Sequence, residues 1–183
     1  IFAVVSGYVI TASLTGREAK GFIDFINSFY KRRIKRLLPA LVFFILLASI
    51  ITIFIHPAPR NSLLTGIYSL TGMSNIYLIS ISTDYFAMDA ELNPFTQTWS
   101  LGVEEQFYFV FPFLIWFTGY AQQKKGSFVK IAKILTLSIS ISLIGFVILH
   151  FINPTFAYFF TPTRLWQMGL GSLSFLAWNE KIK

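Results

Sequence analysis

The 183-residue sequence contains no cysteine, and charged residues make up only 13% of it. The absence of cysteine excludes disulfides and thiolate metal sites within this stretch. Charged residues are too scarce for an ordinary soluble domain, in which about a quarter of the residues are charged. The two histidines, His56 and His150, each stand alone near the end of an apolar run, so we expect solvated side chains and no metal site.

The sequence also lacks a glycine-rich phosphate-binding loop and a nucleophile elbow. Ser6 precedes Gly7 but is not in a Gly-x-Ser-x-Gly context. The net charge of +7 does not indicate nucleic-acid binding, because the basic residues stand in short blocks between apolar runs. That pattern is typical of the cytoplasmic loops of membrane proteins, so we expect no nucleic-acid partner.

Long apolar runs dominate the sequence, which is 55% hydrophobic and 18% aromatic. The stretches 37–55, 99–119 and 134–152 each have about the 20 residues that a helix needs to cross a bilayer. A weaker candidate is 62–81, and 165–178 is short enough to be tilted, interfacial or packed at a helix end. The pattern predicts an all-α protein, a polytopic transmembrane helix bundle in contact with membrane lipid.

The apolar segment 1–14 begins without methionine and without the basic start of a signal peptide. We interpret it as the end of a helix whose first part is missing, so the chain is expected to be a fragment. No internal repeat or long linker divides it, and we expect residues 1–183 to form one bundle.

The basic block 31–36 predicts that the connection 15–36 is cytoplasmic and that Pro39 lies in the first turn of the next span. If 62–81 crossed the membrane, the lysine-containing loop after residue 119 would lie outside, against the positive-inside rule. We therefore favour a re-entrant or interfacial 62–81, which makes that loop cytoplasmic. The acidic loop with Asp84, Asp89 and Glu91 then lies outside.

Two adjacent carboxylates, Glu104 and Glu105, interrupt the apolar run 99–119. A charge at the centre of a bilayer costs about 2.5 kcal/mol or more, so such residues usually face a bundle interior or a wet cavity. They are candidates for a general acid or base, a partner that orients a catalytic histidine, or a proton relay. Structural ion pairs or a solvated helix start are the alternatives. We expect Glu104 to face the cavity, because Ser100 and Tyr108 share its helix face.

Two prolines bear on the same helix. Asn93 and Pro94 resemble an N-cap followed by proline at the first helical position, which predicts a helix that begins before Trp99. Pro112 removes the hydrogen bond to the carbonyl of Tyr108 and is expected to kink the helix.

Arginines supply the other candidate groups. Arg33 and Arg36 lie three apart and point the same way on a helix. They either signal topology and attract anionic lipid or clamp a polyphosphate ligand with their planar guanidinium groups. Arg164 is either an interfacial anchor or a partner for a buried carboxylate or an anionic substrate. Trp99 either belongs to the interfacial aromatic belt or stacks against a sugar, and the glycines of 169–171 predict close helix packing.

Four blocks, at 1–11, 30–41, 93–108 and 160–171, occur in this order over nearly the whole chain. The third, which contains the run WSLGVEEQFY, is the most specific. Together they resemble acyltransferase family 3, polytopic membrane enzymes that O-acylate cell-envelope sugars and other hydroxyl acceptors. The chain would be a partial transmembrane domain of that family, without its N-terminal helix and its C-terminal helices.

The resemblance implies transfer of an acyl group, usually acetyl, from acyl-CoA to a carbohydrate hydroxyl of lipopolysaccharide O-antigen, exopolysaccharide or peptidoglycan. It implies acyl-CoA, foremost acetyl-CoA, as the donor, no metal, and a location in the bacterial inner (plasma) membrane. An extracytoplasmic esterase-like domain, fused or separate, is an expected partner, since many relatives carry one.

The resemblance also implies site residues. The family's essential histidine belongs to an Arg-x10-His motif on the helix before the first block, and neither His56 nor His150 has that context. The family's Arg-x-x-Arg motif, associated with acyl-CoA, matches Arg33 and Arg36. The expected site comprises catalytic Glu104, Glu105 and Ser100, acyl-CoA-binding Arg33 and Arg36, and substrate-binding Arg164 and Trp99.

A transporter or flippase-like protein without covalent chemistry is the alternative. It would explain charges within apolar runs and short segments interrupted by glycine. It would not explain why the four blocks occur in this order. A purely structural membrane subunit is a third alternative, but it would not explain why carboxylates lie within an apolar run.

Overall fold

The computed structural model of the chain describes residues 1–15, 20–55, 59–81 and 93–182. Every regular element in these ranges is helical, which confirms the all-α class. Short 3₁₀ turns lie at Thr96–Thr98 and Thr161–Thr163. The α-helices of the described ranges are α1 (Phe2–Leu14), α2 (Phe22–Ile55), α3 (Arg60–Leu70), α4 (Ser74–Ser80), α5 (Trp99–Phe117), α6 (Ser127–Ile152), α7 (Pro154–Phe159) and α8 (Leu165–Ile182).

Two of these helices, α2 and α6, are long and apolar enough to cross a membrane. The predicted span at 99–119 forms α5, but two carboxylates and Gln106 interrupt its apolar run. It is therefore not among the described helices that are long and apolar enough to cross a membrane. The predicted short segment at 165–178 is the first part of α8, which has 18 residues. His56 and the acidic residues Asp84, Asp89 and Glu91 lie outside the described residues.

The basic block belongs to α2, the longest described helix with 34 residues. The segment 22–36 is therefore helical rather than a separate connection, and Pro39 lies inside the helix, not in its first turn. The reason is aromatic packing. Phe25 and Phe29 are one turn apart and buried, and the Phe25 ring lies 5.2 Å from the Trp116 ring of α5.

Helix α5 runs antiparallel to α2. The Phe22 ring, at the start of α2, lies 5.6 Å from the Phe117 ring at the end of α5. Two turns further along α2, the Tyr30 hydroxyl donates to the carbonyl of Phe109 at 2.9 Å. The turn after α5 therefore lies beside the start of α2, the end nearer to the basic block, which agrees with the re-entrant interpretation of 62–81.

The weak span candidate 62–81 is divided between α3, of 11 residues, and α4, of 7 residues, each too short to cross a hydrocarbon core. The chain turns at Gly72, whose φ of +69° favours glycine. A Cβ at Gly102 would lie only 3.1 Å from the Gly72 carbonyl oxygen, so the turn packs closely against α5 because Gly102 has no side chain.

A buried polar network joins this turn to the rest of the bundle. Asn75 Nδ2 donates to the Phe159 carbonyl at 3.0 Å and to Thr161 Oγ1 at 2.9 Å. Gln106 Nε2 donates to Asn75 Oδ1 and to the Gly72 carbonyl, both at 2.9 Å. Because buried polar groups need partners, this network fixes α4 against α5 and the segment after α7.

Replacement of Asn75 by alanine is expected to destabilise the bundle by about 1–3 kcal/mol, because the Phe159 carbonyl and Gln106 lose buried partners. The check is thermal unfolding of the full-length protein in detergent. Asn61→Ala, at an exposed position of α3, serves as the control. Equal melting temperatures for the two variants would show that the network contributes nothing.

The start of α5 differs from the expectation. Asn93 Oδ1 accepts from the amide of Phe95 at 3.0 Å, and the chain makes a turn and a 3₁₀ segment before the α-helix begins at Trp99. Asn93 also donates to Thr65 Oγ1 at 3.0 Å, and Thr98 Oγ1 donates to the Phe95 carbonyl at 2.6 Å. These side chains hold the backbone in the turn, so Asn93 does not cap α5.

Glycines bring α1 and α8 into backbone contact. A Cβ at Gly7 would lie less than 3.0 Å from the Met168 carbonyl oxygen, and one at Gly171 would lie as close to the Val4 carbonyl oxygen. Ser172 Oγ donates to the Gly7 carbonyl at 3.2 Å. The predicted close packing is thus confirmed at Gly171.

Candidate active site

Glu104 is a buried carboxylate held at both oxygens. Ser6 Oγ of α1 donates to Oε1 at 2.8 Å, and the Tyr108 hydroxyl, one turn along α5, donates to Oε2 at 2.8 Å. Its exposed fraction is 6%. Two donors, one at each oxygen, fix the orientation of this carboxylate.

Arg33 of α2 contacts Tyr108, one of the two donors to Glu104. Its guanidinium carbon lies 3.6 Å from the centroid of the Tyr108 ring, the geometry of a cation–π contact. The Tyr30 hydroxyl, one turn earlier, is 2.9 Å from the Phe109 carbonyl and 3.4 Å from the Tyr108 carbonyl, which Pro112 leaves without its helical donor. A continuous series of contacts therefore joins α2 to α1. It runs from Arg33 to Tyr108, from Tyr108 to Glu104, and from Glu104 to Ser6.

Two cavities open on opposite sides of this contact. The first, here the Arg33 cavity, has a volume of about 180 Å³, and its polar lining includes Tyr30, Arg33, Glu105 and Tyr108. The second, here the Arg164 cavity, has a volume of about 290 Å³. Its polar lining comprises Ser100, Glu104, Arg164 and Gln167, with Trp99 beside them.

The two carboxylates thus face different cavities, Glu104 the Arg164 cavity and Glu105 the Arg33 cavity. Of the three residues predicted to share one face, Ser100 and Glu104 line the Arg164 cavity, whereas Tyr108 lines the Arg33 cavity and contacts Glu104 through its hydroxyl. Ser100 itself contacts its own helix start, where its Oγ donates to the Gln97 carbonyl at 3.3 Å.

Arg164 lies among aromatic rings. Its guanidinium carbon is 4.4 Å from the Tyr158 ring centroid and 5.4 Å from that of Trp99. Its Nε donates to the Tyr158 carbonyl at 2.9 Å. These contacts hold a half-buried cation in the cavity that also contains Glu104. A role of Arg164 in binding substrate stays a prediction.

The structure separates the two predicted clamp residues. Arg33 is half-buried and lines the Arg33 cavity, whereas Arg36, three residues on, is exposed and is not part of that lining. Their joint role in binding acyl-CoA stays a prediction. His150 is exposed, with its ring 5.8 Å from that of Phe146. Within the described residues, no group of histidine and acidic side chains could hold a metal ion.

Sequence reasoning missed two residues of this region. Ser6, a direct partner of Glu104, lies 98 residues away in sequence. Gln106 was noted only as part of the WSLGVEEQFY run, yet it joins the Gly72 turn to the Asn75 network. Their positions within the first and third sequence blocks were the only available signal.

Comparison with known proteins gives the family. The profile described as "Acyltransferase domain" matches residues 1–177. The chain belongs to this acyltransferase family. The match confirms the resemblance of the four sequence blocks and supports an acyl-transferring enzyme over a transporter.

Three curated relatives of this acyltransferase chain are named as O-acetyltransferases. "O-acetyltransferase OatA" of Staphylococcus aureus (strain NCTC 8325 / PS 47) is 34% identical over 184 residues, 97% of this chain and 29% of the relative. "Peptidoglycan O-acetyltransferase OatA" of Listeria monocytogenes is 30% identical over 185 residues, 97% of this chain and 29% of the relative. "Putative peptidoglycan O-acetyltransferase YrhL" of Bacillus subtilis is 29% identical over 186 residues, which are 99% of this chain and 28% of the relative.

The acyltransferase chain therefore spans less than a third of the length of these relatives. No solved structure matches it.

Proposed function

We propose that the chain is part of a polytopic enzyme of the bacterial inner membrane that transfers an acetyl group from acetyl-CoA to a hydroxyl of peptidoglycan. The observation that carries the proposal is Glu104, held by Ser6 and Tyr108 between two cavities on opposite sides of α5. The names of the relatives favour peptidoglycan over lipopolysaccharide or exopolysaccharide as the acceptor.

In this proposal the Arg33 cavity is the donor side. It is formed by the basic half of α2, which the positive-inside rule assigns to the cytoplasm, where acetyl-CoA is found. The Arg164 cavity lies toward the N-terminal end of α5 and is the acceptor side. There Trp99 offers a ring for a sugar face and Arg164 offers donors to sugar oxygens.

The reaction breaks the thioester C–S bond and forms a C–O bond to the sugar. The hydroxyl proton must leave the acceptor, and the departing thiolate must gain one. Glu104 faces the acceptor cavity and accepts a hydrogen bond from the Tyr108 hydroxyl. Tyr108 in turn lines the donor cavity. We propose that Glu104 takes part in this proton transfer, together with the family's histidine on a helix that precedes the first block.

The test uses the full-length protein in membranes with radiolabelled acetyl-CoA and follows label into peptidoglycan. The double variant Arg33→Ala/Arg36→Ala is expected to abolish labelling without reducing insertion, because the donor loses charge-assisted hydrogen bonds. Lys31→Ala/Lys35→Ala removes the same charge from exposed positions of the same helix and should retain labelling. Full labelling by the arginine double variant would reject the donor site.

A further inference from the structure

Two of the side chains that line the Arg33 cavity each carry a buried polar atom without a hydrogen-bond partner. Arg33 Nε and Glu105 Oε1 are both buried, and neither has a hydrogen-bond partner. Buried polar atoms are nearly always paired, with protein, water or ligand. One of these atoms is a donor and the other an acceptor. A ligand that pairs both must therefore accept a hydrogen bond at one point and donate one at another.

The remaining walls of the cavity are mainly apolar, with Leu37, Leu38, Leu41 and Leu101 among them. Its volume of about 180 Å³ is below the range of about 300–1,000 Å³ typical of pockets that enclose a drug-sized ligand. The cavity therefore accommodates a slender arm of a ligand rather than a nucleotide. Arg36 is exposed outside it, one helical turn from Arg33.

We propose that the Arg33 cavity binds a secondary amide of the pantetheine arm of acyl-CoA; this inference rests on the proposed function. The amide carbonyl accepts from Arg33 Nε, and the amide N–H donates to Glu105 Oε1. The methylene groups on either side of the amide pack against the leucine walls. The phosphates of the nucleotide stay outside, within reach of Arg36.

A secondary amide also occurs in the N-acetyl group of the amino sugars of peptidoglycan. The position of the cavity favours the donor. Its walls include about three consecutive helical turns of α2 from Tyr30 to Leu41, the part of the helix that carries the basic block. The Arg164 cavity, with its aromatic and hydroxyl-bearing side chains, lies across α5 and is available to the sugar.

The experiment compares donors that differ only in the groups they offer to the cavity. The full-length enzyme, reconstituted in lipid nanodiscs, receives acetyl-CoA, acetyl-pantetheine, which keeps both amides but has no phosphate, or S-ethyl thioacetate, which has neither. KM and kcat are measured for each donor, and KM for the acceptor. The variants are Glu105→Leu, Glu105→Gln and Arg36→Ala, with Val110→Ala, exposed on the same helix, as the control.

Glu105→Leu is expected to raise KM for acetyl-CoA and for acetyl-pantetheine by the same factor, about tenfold or more, the effect of one hydrogen bond to a charged group. The change for S-ethyl thioacetate should be much smaller. Glu105→Gln keeps an acceptor oxygen and should recover part of the loss. Arg36→Ala should raise KM for acetyl-CoA more than for acetyl-pantetheine.

Three results would overturn the proposal: an increase in the acceptor's KM instead of the donor's, equal effects on all three donors, or a change in kcat alone. If the leucine variant fails to fold, Glu105→Gln carries the test with the same donor dependence and a smaller factor. Wild-type enzyme that is correctly inserted but cannot use acetyl-CoA would reject the proposed function itself. Transfer by wild type with an unchanged KM in both Glu105 variants would reject only the amide subsite.

Discussion

Glutamine in place of Glu104 is expected to reduce acetyl transfer by the full-length enzyme about 100-fold or more, the range for loss of a general acid–base group. The carboxylate accepts from Ser6 at one oxygen and from Tyr108 at the other. An amide has only one acceptor oxygen, so one of these donors loses its partner, and the side chain can no longer exchange a proton. The readout is kcat with labelled acetyl-CoA, beside the amount of inserted protein.

Companion variants separate proton transfer from positioning. Ser6→Ala and Tyr108→Phe each remove one donor and leave the carboxylate, so each should cost about tenfold, the effect of one charge-assisted hydrogen bond. Glu180→Gln, at an exposed position near the end of α8, is the matched control and should behave as wild type. If Glu105→Gln lowers kcat more than Glu104→Gln, the assignment of Glu104 to the acceptor cavity is wrong.

The second large effect concerns stability. Gly171→Ala is expected to destabilise the protein by about 3 kcal/mol or more, the upper part of the range for overpacking. A Cβ at this position meets the Val4 carbonyl oxygen and the Tyr8 amide nitrogen of α1, all backbone atoms, so no side chain can turn aside. Because α1 also carries Ser6, separation of the helices should withdraw a donor from Glu104 and lower activity in the protein that remains folded.

Gly145→Ala is the matched control, since a Cβ at that helical position meets nothing within 4 Å. Removal of a glycine from a helix interior is neutral or favourable for the helix, so this variant should melt at or above the wild-type temperature. Thermal unfolding in detergent, read by size-exclusion chromatography, checks both. Equal melting temperatures for the two glycine variants would show that α1 and α8 move apart without cost.

The contact of Glu104 with Tyr108 and the common cavity of Ser100 and Glu104 could be predicted, because both depend on spacing within one helix. A helix repeats every 3.6 residues, so spacing alone places side chains four apart on one face. The positive-inside rule likewise favoured a re-entrant or interfacial 62–81, and the structure divides this segment at Gly72 beside α5. Where local signals competed with side-chain contacts, as at Asn93, the sequence prediction was wrong.

By itself, the sequence determined an apolar, cysteine-free, helical chain and the identity of the charged residues within it. Only the tertiary structure decided that Ser6 holds Glu104, that Arg33 lies on Tyr108 while Arg36 stays exposed, and that the two carboxylates face separate cavities. The physical reason is that these contacts join different helices. Helical periodicity fixes the direction of a side chain within its own helix, but the packing of neighbouring helices decides what that side chain meets.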